Sequence, residues 1–111
     1  MLRLIKVTGH SMAPLLDDGD YLLVLPLRGR SRDLRPGKIV TANHPDLGLI
    51  VKRVTKLDPA ANRVWLQSDN PVLGSDAQAL GPLPLSVIEA WVWLAIRKRR
   101  PKLRWLGSGA P

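Results

Sequence analysis

Short apolar runs alternate with turn-forming residues along the whole chain, and this pattern predicts strands rather than helices. Ten prolines and nine glycines recur every few residues, and no long stretch repeats its apolar positions at the helical spacing. The one predicted helix is a short turn around residues 14–17, directly after Ser11. Strands are predicted at residues 2–7, 21–25, 38–42, 49–54, 63–67 and 87–96, with loops at 28–37 and 68–80 and turns at 43–48 and 56–62.

Composition limits the classes of protein that fit. The chain has 111 residues, of which 45% are apolar and 23% are charged, which is typical of one globular domain. Cysteine is absent, which excludes disulfide scaffolds, thiol catalysis and zinc–thiolate sites. Only His10 and His44 could serve as imidazole ligands, so a histidine-rich metal site is not expected.

The net charge of +8 is concentrated near the C-terminus. Residues 97–104 hold six of the 17 basic side chains and no acidic one, so the rest of the chain is close to neutral. We therefore predict a domain at residues 1–96 and a basic, flexible tail at 97–111. Such a tail is either a solvated terminus or a contact for anionic lipid or nucleic acid.

The apolar runs are too short for a membrane helix. The longest, residues 87–96, includes Glu89 and is half of the roughly 20 residues that a span needs. The first residues also lack the long apolar region of a secretory signal. We expect a chain that is cytoplasmic or peripheral at a membrane.

The most informative stretch runs from Gly9 to Asp20, with the sequence GHSMAPLLDDGD. Ser11 lies between a predicted strand and a turn, a favourable position for a nucleophile, because its backbone N–H can also face an oxyanion. Gly9 allows a substrate backbone to approach closely. The alternative is a serine that caps the short helical turn after it.

A serine nucleophile needs a base, and three side chains are candidates. His10 adjoins Ser11, but neighbours on an extended chain point to opposite faces. His44 lies in a predicted turn, where a solvated histidine is the simpler interpretation. Lys52 lies in an apolar strand, where burial would lower its pKa and let the neutral amine act as a base. The alternative is an outward-facing lysine on an amphipathic strand.

Three segments, in order, resemble the sequence boxes of the signal peptidase I family of serine endopeptidases. Residues 9–20 resemble its nucleophile box, and Ile-Val-Lys-Arg-Val at 50–54 resembles the box that carries its general base, with the two positions 41 residues apart. Residues 68–82 resemble its third box, and Arg-Pro-Gly-Lys-Ile-Val at 35–40 resembles the strand entry between them. The resemblance covers residues 5–96.

This resemblance implies a fold and a set of site residues. The fold would be mainly β, a small coiled and partly open antiparallel barrel. The implied roles are Ser11 as nucleophile and Lys52 as general base, oxyanion and support roles for Gly9, His10, Asp69, Ser75 and Asp76, and substrate binding by Met12 and Pro14.

The chain departs from the family pattern around the lysine. Ser68 stands where glycine is usual, and Gly74 stands where many members place a serine that hydrogen-bonds the lysine amine. Ser75 is the expected substitute for that serine. Gln78 replaces the arginine that usually pairs with the aspartate, here Asp76. These departures concern the support of Lys52 rather than the Ser–Lys pair.

The implied function is removal of an N-terminal leader from a precursor protein, by a Ser–Lys mechanism that requires no metal and no cofactor. The compact form resembles the maturation proteases of nickel-type superoxide dismutase, so such a precursor is the expected partner. One alternative is the self-cleaving domain of LexA-type repressors, which shares the Ser–Lys pair. A third, in a different class, is a basic β-barrel that stacks nucleic-acid bases on its tryptophans, Trp65, Trp91, Trp93 and Trp105; nucleic acid is not the expected partner.

The last predicted strand also suggests a contact with anionic membranes. In an extended strand Trp91, Trp93 and Ala95 share one face, and Val92, Leu94 and Ile96 share the other. Two indoles beside the basic tail match the pattern of an interfacial anchor. We expect weak contact with anionic membranes through Trp91, Trp93 and the tail; the alternative is that the tryptophans pack in the core.

Overall fold

A computed structural model describes residues 2–9, 11–13, 15–27, 34–70, 79–97 and 103–106. Its eight strands are β1 (Arg3–Lys6), β2 (Tyr21–Pro26), β3 (Ile39–His44), β4 (Gly48–Asp58), β5 (Arg63–Gln67), β6 (Ala79–Leu83), β7 (Ile88–Ile96) and β8 (Leu103–Trp105). A 3-10 turn at Leu85–Val87 precedes β7. The mainly β prediction is confirmed.

The strands form one antiparallel sheet in the order β1-β2-β7-β3-β4-β5-β6, and β8 pairs with β7. β1 and β6 lie at the two edges of this path, so the sheet is consistent with the partly open barrel that was expected. Within this sheet, β7 is hydrogen-bonded to β2, β3 and β8.

Two apolar clusters form the core, and β3 separates them. Ile39 belongs to the first cluster, while Val40 and Ala42 belong to the second. Four consecutive residues of β3 are therefore buried, which requires apolar packing on both faces of the strand. The first cluster contains Val7, Met12, Leu16, Leu22, Val24, Ile39, Ala90, Val92 and Ala95; the second contains Leu27, Leu34, Val40, Ala42, Val54, Val64, Leu66 and Ile88.

A β-bulge between β4 and β5 shifts their pairing by one residue. Lys56 lies opposite Trp65, but the next pair is Val54 opposite Leu66, so Thr55 is the extra residue. The Thr55 hydroxyl donates to the Trp65 carbonyl at 3.2 Å and ties the bulge to β5. Every pair beyond Thr55 is set by this shift.

Three local predictions need correction. β4 continues through Asp58, so the turn that was predicted from residue 56 is confined to 59–62. β6 occupies the end of the predicted second loop and continues to Leu83; its Gly81 packs so closely on β5 that an added Cβ would lie 2.9 Å from the Val64 carbonyl oxygen. Ala95 packs with Val92 in the first cluster, because a bulge where β7 pairs with β2 resets the alternation after Trp93.

The helical turn predicted after Ser11 contains one hydrogen bond of α-helical spacing, from the Leu16 amide to the Met12 carbonyl at 3.0 Å. In the predicted tail, residues 103–105 form β8 against β7. The Leu106 amide donates to the Trp93 carbonyl at 2.9 Å, and Leu106 packs against the first cluster. This end of the chain thus reaches the cluster that anchors the Ser11 segment.

Candidate active site

Ser11 lies on a loop, residues 7–20, whose ends are held together. The Val7 amide donates to the Asp20 carbonyl at 2.7 Å, and the Gly19 amide donates to the Val7 carbonyl at 2.8 Å. Met12 is 2% exposed and packs in the first cluster, while Ser11 is half-buried. Packing of Met12 in the core fixes the loop, and Ser11 beside it stays partly exposed.

The aspartates that close this loop are engaged by backbone amides. Asp18 accepts from Gly9 at 2.9 Å, Asp20 accepts from the Asp17 amide at 2.9 Å, and Asp17 accepts from the Asp18 amide at 2.9 Å. Gly9 has φ of +83°, which favours glycine, and an added Cβ would have no atom within 4 Å. Gly9 therefore presents an open surface, but its N–H is already directed at a carboxylate.

Lys52 lies in the middle of β4 and is buried, with 9% of its surface exposed. It pairs with Val40 of β3 and shares its face of β4 with Val54, and both of these valines belong to the second cluster. Burial in these apolar surroundings lowers the pKa of the Lys52 amine, because desolvation disfavours the ammonium form. The alternative of an outward-facing lysine is wrong.

The Lys52 amine donates a hydrogen bond to the Ser68 hydroxyl at 2.6 Å. Ser68 is 4% exposed and follows β5 directly. Since Arg53 pairs with Gln67, the same register carried one step further places Ser68 opposite Lys52. A neutral hydroxyl is a partner that leaves the lysine free to exist as the neutral amine.

The segment Ser68–Asn70 also contacts the Ser11 loop. The Asn70 amide donates to the Ser11 carbonyl at 2.9 Å. One three-residue segment thus bonds the Lys52 side chain at its first residue and the Ser11 backbone at its third. This segment therefore links the Ser11 backbone to the hydrogen-bonded pair Lys52–Ser68.

The residue between these contacts, Asp69, forms an ion pair with Arg53. The Arg53 Nε and Nη2 atoms donate to the two carboxylate oxygens at 2.9 and 2.7 Å, and Nη1 donates to the Gly37 carbonyl at 2.7 Å. The bidentate bond to Asp69 raises the pKa of Arg53. Asp69, predicted as a support residue, therefore acts on the residue next to Lys52.

Several predicted site residues lie outside the described residues: His10, Pro14, Ser75 and Asp76, together with Gly74 and Gln78. Met12, predicted to bind substrate, has its side chain in the core. Sequence reasoning missed Ser68 as a lysine partner. Its place directly after β5 puts it near the strand that carries Lys52, but the register between the two strands decides that it faces the lysine.

The other candidates occupy different surroundings. His44 lies at the β3–β4 turn, where its Nδ1 accepts from the Asp46 and Leu47 amides at 3.1 and 3.2 Å. Trp91 is half-buried against the second cluster, with the Lys38 ammonium 5.4 Å from its ring. Trp93 is also half-buried.

Within the described ranges, no group of three or more histidine, aspartate or glutamate side chains is placed to hold a metal ion. In the same part of the chain, no helix has the length and apolar character needed to cross a membrane.

The chain belongs to the Peptidase S24-like family, which matches residues 1–79. The matched region contains Ser11, Lys52 and Ser68, and it defines the protein as a serine peptidase-type domain. No curated protein and no solved structure matches the chain significantly.

Proposed function

We propose that the protein is a serine endopeptidase in which Ser11 is the nucleophile and Lys52 is the general base. The observation that carries this proposal is the buried Lys52 amine, bonded to a neutral hydroxyl beside the loop of Ser11. A lysine in an apolar strand is costly to bury as a cation. Its presence there is explained by a reaction that uses the neutral amine.

In the proposed reaction, the neutral Lys52 amine takes the proton from the Ser11 hydroxyl while Oγ attacks the scissile carbonyl carbon. The Ser11 N–H stabilises the resulting oxyanion; Gly9 is a poorer donor because its N–H is bonded to Asp18. The Lys52 ammonium then protonates the leaving amine as the peptide bond breaks. Lys52 next activates the water that hydrolyses the acyl-Ser11 ester and frees the enzyme.

Ser68 positions the base in this scheme. Its hydroxyl accepts from the Lys52 amine and can donate its own proton elsewhere, so it fixes the direction of the amine without adding charge. The serine that the family pattern places further along the chain has glycine, Gly74, at its position here. Ser68 supplies the hydroxyl from the strand end instead.

The proposed substrate is a precursor protein with an N-terminal leader. The resemblance to signal peptidase I supports this choice, and it implies small residues just before the cleaved bond and a substrate that docks as an added strand. A nickel-type superoxide dismutase is one such precursor, and this choice rests on the sequence resemblance alone.

Self-cleavage is the second candidate, and the Peptidase S24-like match favours it. The same Ser11–Lys52 chemistry would then act on a bond of its own chain. The two candidates differ in their dependence on protein concentration. In intramolecular cleavage, the fraction of chains cleaved per unit time is independent of the protein concentration.

The test compares the two reactions with matched variants. The protein is incubated alone, and separately with a reporter that carries a leader peptide, and the products are identified by mass spectrometry. Ser11→Ala and Lys52→Ala should each abolish cleavage, and the double variant should be no worse than either single variant. Ser86→Ala and Lys56→Ala alter exposed residues and are the controls. Cleavage retained by Lys52→Ala would contradict the dyad.

A further inference from the structure

Two side-chain contacts lie next to each other at the end of β5. In one of them the lysine has a neutral partner, and the other is an ion pair. Lys52 bonds to Ser68, and the next residue on each segment forms the pair Arg53–Asp69. Asp69, which carries a carboxylate, thus directly follows Ser68, the partner of Lys52. Arg53 occupies both of its oxygens.

The bulge at Thr55 decides which of these residues faces Lys52. Before the bulge, Lys56 lies opposite Trp65, and that register carried on would place Lys52 opposite Asp69. After the bulge, the register places Lys52 opposite Ser68. An aspartate facing a buried lysine would stabilise the ammonium form and disable the amine as a base.

We propose that Arg53 is a positioning residue for Lys52: by binding both carboxylate oxygens of Asp69, it leaves the Lys52 amine with the neutral Ser68 hydroxyl as its partner. The inference rests on the proposed function, in which Lys52 acts as the base. The bond from Arg53 to the Gly37 carbonyl fixes the guanidinium from a third side, so the carboxylate is held in one place.

The other charged groups around Lys52 are already engaged. On the Ser11 loop, the carboxylates of Asp17, Asp18 and Asp20 accept backbone amides of that loop. On the entry to β3, Lys38 lies over the Trp91 ring. Burial is the cause of the lowered pKa of Lys52. Among the described groups, Asp69 is the acid that a one-residue shift in the β4–β5 register would place opposite the Lys52 amine.

The test uses the pH dependence of cleavage by the full chain. Arg53→Gln releases the Asp69 carboxylate, so the midpoint of the pH–rate profile should rise, with a loss of about tenfold in rate at neutral pH for each unit of rise. Asp69→Asn should keep the wild-type midpoint. The double variant Arg53→Gln/Asp69→Asn should restore it, because it lacks the carboxylate that Arg53 restrains.

Controls separate this role from simple stabilisation. Arg3→Gln removes another arginine–carboxylate pair, Arg3–Glu89 at 2.7 Å, and should leave the midpoint unchanged. Arg53→Lys keeps the positive charge, so the midpoint of its pH–rate profile should stay near the wild-type value. This variant can be measured even where Arg53→Gln fails to fold. Equal rate losses in Arg53→Gln and Asp69→Asn with an unshifted midpoint would overturn the proposal and leave the pair a structural clamp.

A readout without catalysis separates this proposal from the proposed function. Reductive ¹³C-methylation of the lysines and NMR titration report the Lys52 pKa directly, with Lys52→Arg used to assign the resonance. A rise in this pKa in Arg53→Gln that is reversed in the double variant supports the inference even if the wild type cleaves nothing. An unchanged pKa in Arg53→Gln overturns it even if the peptidase is active.

Discussion

The Asn70 amide donates to the Ser11 carbonyl, and this bond ties the Ser11 loop to the end of β5, where Ser68, the partner of Lys52, lies. The loop and the lysine belong to different parts of the sheet, so the bond sets the position of one against the other.

Ser68→Ala should lower kcat about 10- to 100-fold, because the Lys52 amine loses the group that directs it. The buried amine would be left without its partner, which costs about 1–3 kcal/mol of stability. Cleavage kinetics and thermal unfolding measure the two effects. Ser68→Thr keeps the hydroxyl and should retain most activity; a fully active Ser68→Ala would contradict the positioning role.

Cleavage should increase with pH through the lowered pKa of Lys52, because only the neutral amine accepts a proton. Lys52→Arg should be inactive at every working pH, since guanidinium stays protonated. Initial rates from mildly acidic to alkaline pH give the profile. A flat profile would show that Lys52 is structural.

Stability should depend on pH through the same group. The pKa of Lys52 is lower in the folded chain than in the unfolded chain. At a pH between these two pKa values the unfolded chain binds more protons, so the free energy of unfolding increases with pH. Lys52→Met lacks this contribution. As pH rises, the Tm of the wild type should therefore increase relative to the Tm of Lys52→Met. A difference in Tm that does not change with pH would contradict the burial of an ionisable amine at this position.

Truncation after Ile96 should destabilise the Ser11 loop. It removes β8, the packing of Leu106 on the first cluster, and the bond from Arg97 to the Leu15 carbonyl at 3.1 Å. A chain that ends after Leu106 keeps all three and is the matched control. We expect a lower Tm and slower cleavage in the shorter chain alone, and equal values in both chains would refute this role.

Contact with anionic membranes stays a prediction. Each basic residue near such a surface contributes on the order of 1 kcal/mol, so the cluster at residues 97–104 should support binding that salt reverses. Flotation with phosphatidylserine-containing and neutral phosphatidylcholine vesicles, at low and high salt, measures it. A protein that stays in the soluble fraction with both vesicle types has no such contact.

The sequence was sufficient for the elements whose signals are local. Apolar runs bounded by turn residues located β2, β3, β5 and β7, and the Ser11 and Lys52 boxes identified both members of the proposed dyad. The apolar neighbours of Lys52 favoured its burial but left an outward-facing lysine as an alternative, which the structure excludes.

The partner of Lys52 could not be found in that way, because it depends on the register between two strands. One extra residue, Thr55, exchanges Asp69 for Ser68 opposite the lysine, and no local pattern marks Thr55 as a bulge. β6 was missed for a related reason: Gly81 and Pro82 are typical of a turn, and close packing against β5 overrides that preference.

The position of β7 has a consequence for biosynthesis. Among the described strands, β7 is the one that joins β2, next to the Ser11 loop, to β3 and its neighbour β4, which carries Lys52. Yet β7 is translated after both. On the ribosome the two parts of the candidate site emerge first and lack the strand that unites them, so a nascent chain would complete this site only after residue 96 has left the exit tunnel.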